Sequence, residues 1–189
     1  MILVFDNAIS DIDKALELDP TSVSAMIKRA SVYIERDEFV KAQEQFEAAE
    51  KANPNDADLF YHRGQIRFMS QDNVGAIEDY KKSIAIDPHF IYAHIQLGVA
   101  LYKVSDMKGA VEILKGAAQT FPNSCEVYNY HGEILLDNSS FPEAEEFFNK
   151  AIEIAPASPL PYINKAILYL SWKQDAEKAL SLCQKLLVE

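Results

Sequence analysis

One pattern of residues recurs every 34 positions along the chain and constrains the fold more than any other feature. Proline and alanine both keep this step, at Pro20, Pro54, Pro88, Pro122 and Pro156, and at Ala8, Ala42, Ala76, Ala110 and Ala144. A small residue and a bulky residue keep it too, at Ala30, Gly64, Gly98, Gly132 and Ala166, and at Met26, Phe60, His94, Tyr128 and Tyr162. Small and bulky residues in phase indicate repeated packing units, each stacked on its neighbours.

Each period reads as two amphipathic helices. In the first complete period Met26, Ala30 and Tyr33 have the three-and-four spacing of one helix face, as do Ala42 and Phe46 in the second half. Proline then ends the second helix, and Asn55 or Asp56 is positioned to cap the next one. The predicted complete repeats are residues 23–56, 57–90, 91–124 and 125–158.

The two ends of the chain depart from the full period. Residues 1–22 are predicted to be the second helix of a truncated repeat, with an atypical cap as the alternative. Residues 159–189 are predicted to be an incomplete final repeat, in which Ala179 arrives one residue late and residues 173–175 form a longer turn. Ile2 to Phe5 at the start, and Leu180, Leu186 and Leu187 at the end, are expected to leave apolar surface uncovered. The whole chain, 1–189, is predicted to be one array.

These columns resemble the tetratricopeptide repeat (TPR), a helix-turn-helix unit with an aromatic residue, small residues and a late proline. The resemblance covers essentially the whole chain and implies an all-α, right-handed superhelical solenoid whose first helices line a concave surface. The helix-internal glycines Gly64, Gly98 and Gly132 each cost on the order of 1 kcal/mol against alanine. We interpret them as points where the paired helix approaches closely at its own alanine.

Charge and cysteine content restrict the partners. The formal net charge is −11 and the isoelectric point is about 4.8, so nucleic acid and anionic membranes are repelled and a basic partner is attracted. The alternative is that acidic charge only keeps the chain soluble. Cys125 and Cys183 fit free thiols in a reducing compartment. The apolar start, Met1 to Phe5, is too short for a signal peptide or a membrane span.

The chain carries no motif typical of an enzyme. None of its six glycines forms a phosphate-binding loop. Its histidines and cysteines lack metal-ligand spacing, and His94 and His131 fall in packing columns. Carboxylate pairs such as Glu145-Glu146 lie on predicted solvated faces, where general acid-base catalysis lacks a dry cleft. The sequence therefore predicts no catalysis, no cofactor and no metal.

The TPR resemblance implies a peptide-binding groove along the first helices. The predicted groove residues are Ile27, Asp58, Tyr61, Gln65, Tyr92, Ile95, Val99, Asn129 and Glu133. Tyrosines combine large area with a polar tip and often anchor such contacts, whereas Phe68, Tyr102 and Leu136 also fit simple helix packing. The groove is predicted to be apolar and acidic, which suits a hydrophobic or basic amphipathic segment. In other TPR proteins, lysine and asparagine residues in these columns form a clamp for the tails of Hsp70 or Hsp90. The same columns hold other residues here, so the clamp is absent.

A closer resemblance rests on three stretches: Phe60 to Gln65, Glu126 to Glu133, and Asn164 to Ala166 followed by Trp172 to Asp175. They are similar to the C-terminal part of the large TPR receptor of the mitochondrial outer-membrane translocase (the TOM complex). That family implies binding of preproteins, notably hydrophobic carriers, alongside other translocase subunits on the cytosolic face of the outer membrane. Its anchor and chaperone clamp lie in N-terminal parts absent here. The alternatives are a scaffold that joins subunits of another complex and a regulatory array of an enzyme.

Overall fold

Helices begin at Val23, Ala57, Ile91, Cys125 and Pro159, one period apart, in the residues 2–185 that our computed structural model describes. These first helices are α2 (Val23–Glu35), α4 (Ala57–Met69), α6 (Ile91–Lys103), α8 (Cys125–Asp137) and α10 (Pro159–Leu168). The others are α1 (Ile2–Leu18), α3 (Phe39–Ala52), α5 (Asn73–Ile86), α7 (Met107–Thr120), α9 (Phe141–Ile154) and α11 (Ala176–Gln184). The predicted all-α fold of sequential helix pairs is confirmed. Predictions for the side chains of Ile2 to Val4, and for Leu186 and Leu187, lie outside the described residues.

Short polar side chains start most of these helices. Each accepts a hydrogen bond from the backbone N–H three residues further on and so satisfies one of the free amides of the first turn. The capping residues are Ser22, Asp56, Asp72, Asp106, Ser124 and Asp175. Asp56, rather than Asn55, therefore caps α4, with its Oδ1 3.0 Å from the N–H nitrogen of Leu59.

The turn inside each repeat passes through one left-handed residue. These residues are Asp37, Gln71, Ser105, Ser139 and Gln174, with φ between 51° and 65°. In the first four turns, the N–H of the following residue donates to the carbonyl five residues earlier, as Asp72 does to Arg67 at 2.8 Å. This bond satisfies a helix-terminal carbonyl and brings the chain back antiparallel to itself.

The fifth turn absorbs its extra residue differently from the prediction. Residues Tyr169–Lys173 form a π-helix that continues α10, and the N–H of Asp175 donates to the carbonyl of Tyr169, six residues earlier, at 3.2 Å. The prediction of a longer turn at 173–175 is therefore wrong. A π-helical turn accommodates one inserted residue without breaking the helix, and Gln174 keeps the left-handed conformation of the other four turns.

Two compact units share the chain, Met1–Phe90 and Ile91–Glu189. In the first unit α1 packs on α2, α2 on α3 and α4 on α5, and the core includes Ala30, Ala42, Phe46, Leu59 and Phe60. In the second unit α6 packs on α7, α8 on α9 and α10 on α11. Its core includes Ala144, Phe148, Ala166, Leu168 and Tyr169, with a second cluster at Ile95, Ala117 and Val127.

The glycines of the first helices face a bulky side chain, and not the predicted alanine. A Cβ atom added to Gly64 would lie 2.7 Å from Tyr80 Cε1, and one added to Gly132 would lie 2.7 Å from Phe148 Cε1. The contacting residues come four positions, about one turn, after Ala76 and Ala144. The alanines are buried, but the glycines at 64 and 132 are needed because an aromatic ring from the next turn of the paired helix lies over each of them.

Candidate functional site

An exposed apolar row follows one side of α10 in the second unit. Leu160, Ile163, Ile167 and Leu170 recur at steps of three and four residues, and each side chain is 41% to 55% exposed. Helix α10 packs beside α8, and α8 beside α6. We call the exposed surface formed by these three helices the first-helix face, defined by Tyr92, Glu126, Glu133, Leu160, Ile163, Ile167 and Leu170. Tyr92 is 53% exposed, so both outer helices present apolar or aromatic area.

Carboxylates lie on the middle helix of this face. Glu126 and Glu133 are exposed on α8, and Asp137 is exposed one turn after Glu133. Partial burial, followed by the nearby Asp137, raises the pKa of the Glu133 carboxyl. Tyr102 on α6 is hydrogen-bonded to Asp137, which raises the pKa of the Tyr102 hydroxyl. A cation placed between Glu133 and Asp137 would relieve their repulsion, so the face favours a partner with both apolar and basic side chains.

Several predicted groove residues are buried among neighbouring side chains. Ile95 is 2% exposed and belongs to the cluster with Ala117 and Val127, while Val99 is half-buried. Asn129 is 3% exposed and accepts a hydrogen bond from the side-chain amide of Asn164, which ties α8 to α10. These residues pack between the helices beneath the first-helix face. Glu133 and Tyr92 are exposed on its surface, where a partner could contact them.

Fewer of the predicted groove residues are exposed in the first unit than in the second. Ile27 is buried in the core, and Asp58 is exposed beside a cavity of about 170 Å³. Tyr61 is half-buried, with its ring centroid 4.8 Å from that of Phe90, and its hydroxyl accepts a hydrogen bond from Gln65 at 3.0 Å. The cavity is lined by Val23, Ser24, Ile27, Lys28, Asp56, Asp58 and His62. Tyr61 and Gln65 thus belong to a polar and aromatic network whose surface is only partly open.

A buried ion network in the first unit was missed by the sequence reasoning. Arg63 on α4 donates to both carboxylate oxygens of Asp79 on α5, at 2.9 and 2.7 Å, and to Glu50 at 2.6 Å. Arg67 adds a contact of 3.0 Å to Asp79. Burial alone would lower the pKa of Arg63, but Asp79 and Glu50 raise it. The signal was available, because Arg63 and Asp79 occupy columns that hold Leu97 and Ile113 one repeat later.

His131 is a second buried polar residue outside the predicted face. It is 2% exposed, its ring centroid is 3.9 Å from that of Phe147, and its Nδ1 has no hydrogen-bond partner among the described residues. Burial, with a smaller contribution from Lys115, lowers its pKa to about 4. The ring is therefore neutral at pH 7 and packs as an aromatic side chain.

Acidification is expected to destabilise the fold through His131. The unfolded chain binds this proton below about pH 6.5, whereas the folded chain resists it down to about pH 4, so this contribution is lost as the pH falls between these values. The loss should be about 2 kcal/mol by pH 5. Urea unfolding at pH 7 and pH 5 measures it, with His131→Phe as the control that should lose less. Equal losses in both proteins would contradict the assignment.

Among residues 2–185, no group of three or more His, Cys, Asp or Glu side chains is arranged to hold a metal ion. Within the same range, none of the helices combines the length and the apolar character that a membrane span requires. The two free cysteines are far apart in sequence. Cys125 is buried and Cys183 is exposed. Burial raises the pKa of the Cys125 thiol, which makes it less reactive.

Comparison with known proteins agrees with this architecture. The profile of the tetratricopeptide repeat family matches residues 27–89 and 95–159, and the chain belongs to that family. It is related to human TOM70, a mitochondrial import receptor subunit, with 30% identity over 93% of this chain and 31% of that protein. TOM70 of Saccharomyces cerevisiae is 33% identical over 76% of this chain and 23% of that protein. The chain thus spans about a third or less of the length of these relatives.

Solved structures also show the relation to TOM70 and the helical-repeat fold. The crystal structure of yeast Tom70 superposes with a TM-score of 0.77 and 30% identity, over 94% of this chain and 38% of that one. PilW, a type IV pilus biogenesis factor, superposes with a TM-score of 0.79 over 96% of this chain and 84% of that one. Its identity is 19%, so this second likeness shows the fold alone.

Proposed function

We propose that this chain is a non-catalytic preprotein-binding module of a mitochondrial import receptor. Its ligand is a hydrophobic or basic amphipathic targeting segment, and its place is the cytosolic face of the outer membrane beside other translocase subunits. The observation that carries the proposal is the exposed row Leu160, Ile163, Ile167 and Leu170 next to the carboxylates of α8. The relation to TOM70, a mitochondrial import receptor subunit, supports it.

The chemistry of the face fits such a ligand. An amphipathic helix lays its apolar side chains into an apolar row at steps of three and four residues, the spacing found on α10. Lysine or arginine on the adjoining side of the ligand would approach Glu126 and Glu133. Burial of the apolar side chains supplies affinity, and the carboxylates select against acidic segments. Tyr92 supplies a large side chain with a polar tip at the α6 edge.

A charge on the apolar row is expected to remove binding. Ile167→Asp should weaken a fluorescent, basic amphipathic carrier peptide at least about tenfold in an anisotropy titration, because it places a carboxylate against the ligand's apolar face. Stability should change little, since Ile167 is 46% exposed. Leu180→Asp on α11 is the matched control, because Leu180 is an exposed apolar residue outside the first-helix face, 59% exposed. Unchanged binding by Ile167→Asp would contradict the assigned face.

A scaffold that joins subunits of another complex is the second candidate. It is favoured by the same exposed row, because a permanent partner helix would bury that row equally well. Photocrosslinking from position 92, on the first-helix face, separates the two, with carrier preproteins expected as the products. Recovery of one stoichiometric partner in their place would favour the scaffold.

A further inference from the structure

A cavity of about 370 Å³ opens at the turn ends of the first unit's helices. It lies where α2 and α4 end and α3 begins. A second cavity of about 300 Å³ shares Ile34, Phe39, Ile66 and Ser70 with it. We call the larger cavity the edge pocket, which is lined by Ile34, Glu35, Asp37, Phe39, Ile66, Met69 and Ser70. Its size lies at the lower end of the range for small-ligand sites, about 300–1,000 Å³.

The walls of the edge pocket are apolar and open to a ligand. Ile34 and Ile66 are half-buried and form part of the lining. Phe39 is 53% exposed and Met69 is 74% exposed, so both side chains leave apolar area open to water beside one cavity. A ligand that covered them would remove apolar area from water, which is favourable.

The second unit shows what covers the corresponding phenylalanine there. Phe141 begins α9 as Phe39 begins α3, three periods earlier. The indole of Trp172 stacks on Phe141 with ring centroids 5.8 Å apart and planes 14° from parallel. Counted along the periods, Trp172 corresponds to Ser70. Trp172 also lies two residues before the left-handed Gln174, and the residue two before the left-handed Gln71 is Met69. Neither residue brings an aromatic ring to Phe39.

The rim of the edge pocket is acidic. Glu35 and Asp37 line it and are both exposed. The arginines on the same segments are already ion-paired: Arg36 with Asp6 at 2.8 Å, and Arg67 with Asp79 at 3.0 Å. A basic residue beside the ligand's aromatic ring would therefore find carboxylates at the rim.

We propose that the edge pocket binds a single aromatic side chain, tryptophan above all, carried by a basic segment of a partner protein. The ring stacks on Phe39 as Trp172 stacks on Phe141, and neighbouring lysine or arginine side chains meet Glu35 and Asp37. This contact is separate from the first-helix face of the second unit and does not depend on the proposed preprotein ligand. It gives the first unit a recognition site of its own.

The test uses the tripeptide amide Lys-Trp-Lys as probe and Lys-Ala-Lys as its matched control, with the full chain carrying ¹³C-labelled isoleucine and methionine methyl groups. Lys-Trp-Lys should shift the NMR signals of Ile34, Ile66 and Met69 in a saturable way, and Lys-Ala-Lys should not. Glu-Trp-Glu should bind more weakly, because its charges repel the rim.

Variants then locate the contact. Phe39→Ala should weaken Lys-Trp-Lys at least about tenfold, and Phe141→Ala, the matched control in the second unit, should leave its affinity unchanged. Ser70→Trp should fill the pocket from within and abolish the saturable shifts. Phe39 and Ser70 are both exposed, so these variants should keep the wild-type helical circular dichroism.

Two results would overturn the assignment of the aromatic side chain to the edge pocket. One is the absence of saturable shifts at Ile34, Ile66 and Met69, including the case in which only Ile163 and Ile167 respond; the tryptophan would then occupy the first-helix face. The other is an unchanged affinity in both Phe39→Ala and Ser70→Trp. Equal binding of Glu-Trp-Glu and Lys-Trp-Lys would overturn the basic character of the partner. None of these results bears on the proposed preprotein binding, which is tested separately by comparing carrier-peptide affinity in the wild-type chain and in Ile167→Asp.

Discussion

Replacing Asp79 with alanine is expected to lower the free energy of unfolding by about 3–5 kcal/mol. Asp79 accepts two hydrogen bonds from Arg63, whose side chain is 10% exposed, and a third contact from Arg67. Without the carboxylate, the buried guanidinium would keep Glu50 as its one anionic partner among the residues that the structure describes. Removing one member of a buried ion pair costs more than the pair contributes, because the remaining charge stays desolvated.

Urea unfolding followed by circular dichroism measures this loss. Glu50→Gln is the control, since Glu50 is a third exposed and an amide still accepts a hydrogen bond from Arg63; we expect about 1 kcal/mol or less. Lys82 and Arg63 both lower the pKa of the Glu50 carboxyl, so some cost is expected. A loss below about 1 kcal/mol for Asp79→Ala would mean that water reaches Arg63 freely.

The chain itself supplies a way to replace the pair. One repeat later the same two columns hold Leu97 and Ile113, and Leu97 is 1% exposed. The double variant Arg63→Leu, Asp79→Ile should therefore recover most of the stability that Asp79→Ala loses, because well-packed apolar residues often replace a buried ion pair without loss. If the double variant were as unstable as Asp79→Ala, the network would be needed for more than charge balance.

The periodic columns predicted the fold because packing repeats with them. Gly64, Gly98 and Gly132 are buried on first helices, as are Ala76, Ala110 and Ala144 on second helices. The ion network escaped this reasoning because the columns of Arg63 and Asp79 mix polar and apolar residues from repeat to repeat, and a column average hides a pair that changes together. The left-handed turn residues, among them Gln71 and Ser105, also gave no signal, since neither is a glycine or an asparagine.

The candidate site was harder to predict than the fold. Spacing along a helix indicates which side a residue lies on, but it does not say how deeply the neighbouring helix covers that side. Ile95 and Tyr92 were both assigned to the groove, yet Ile95 is 2% exposed and Tyr92 is 53% exposed. The exposed row on α10 is not among the predicted groove residues, and the edge pocket depends on Met69 and Ser70, which belong to no packing column.

Leucine at position 98 is expected to destabilise the second unit by about 3 kcal/mol, near the upper end of the usual cost of overpacking. Even a Cβ atom at Gly98 would lie 2.8 Å from Leu114 Cγ and 3.1 Å from both of its Cδ atoms. Leu114 is fully buried on α7, so it has little room to move, and three further carbon atoms must displace the helix. The melting temperature and the urea midpoint measure the loss.

Gly116 is the matched control for this substitution. It also lies inside a helix, α7, but a Cβ atom added there would meet nothing within 4 Å. Gly116→Leu should therefore stabilise the chain by up to about 1 kcal/mol, because leucine forms helix more readily than glycine. Opposite signs at the two glycines would show that packing, and not helix propensity, sets the effect at position 98.

A second substitution at Leu114 assigns the clash to one contact. Leu114→Ala alone should cost about 2–5 kcal/mol through the cavity that it leaves. Combined with Gly98→Leu, the new leucine can occupy part of that cavity, so the double variant should be more stable than the sum of the two losses predicts. Strict additivity would contradict the contact and would place the strain between α6 and another helix.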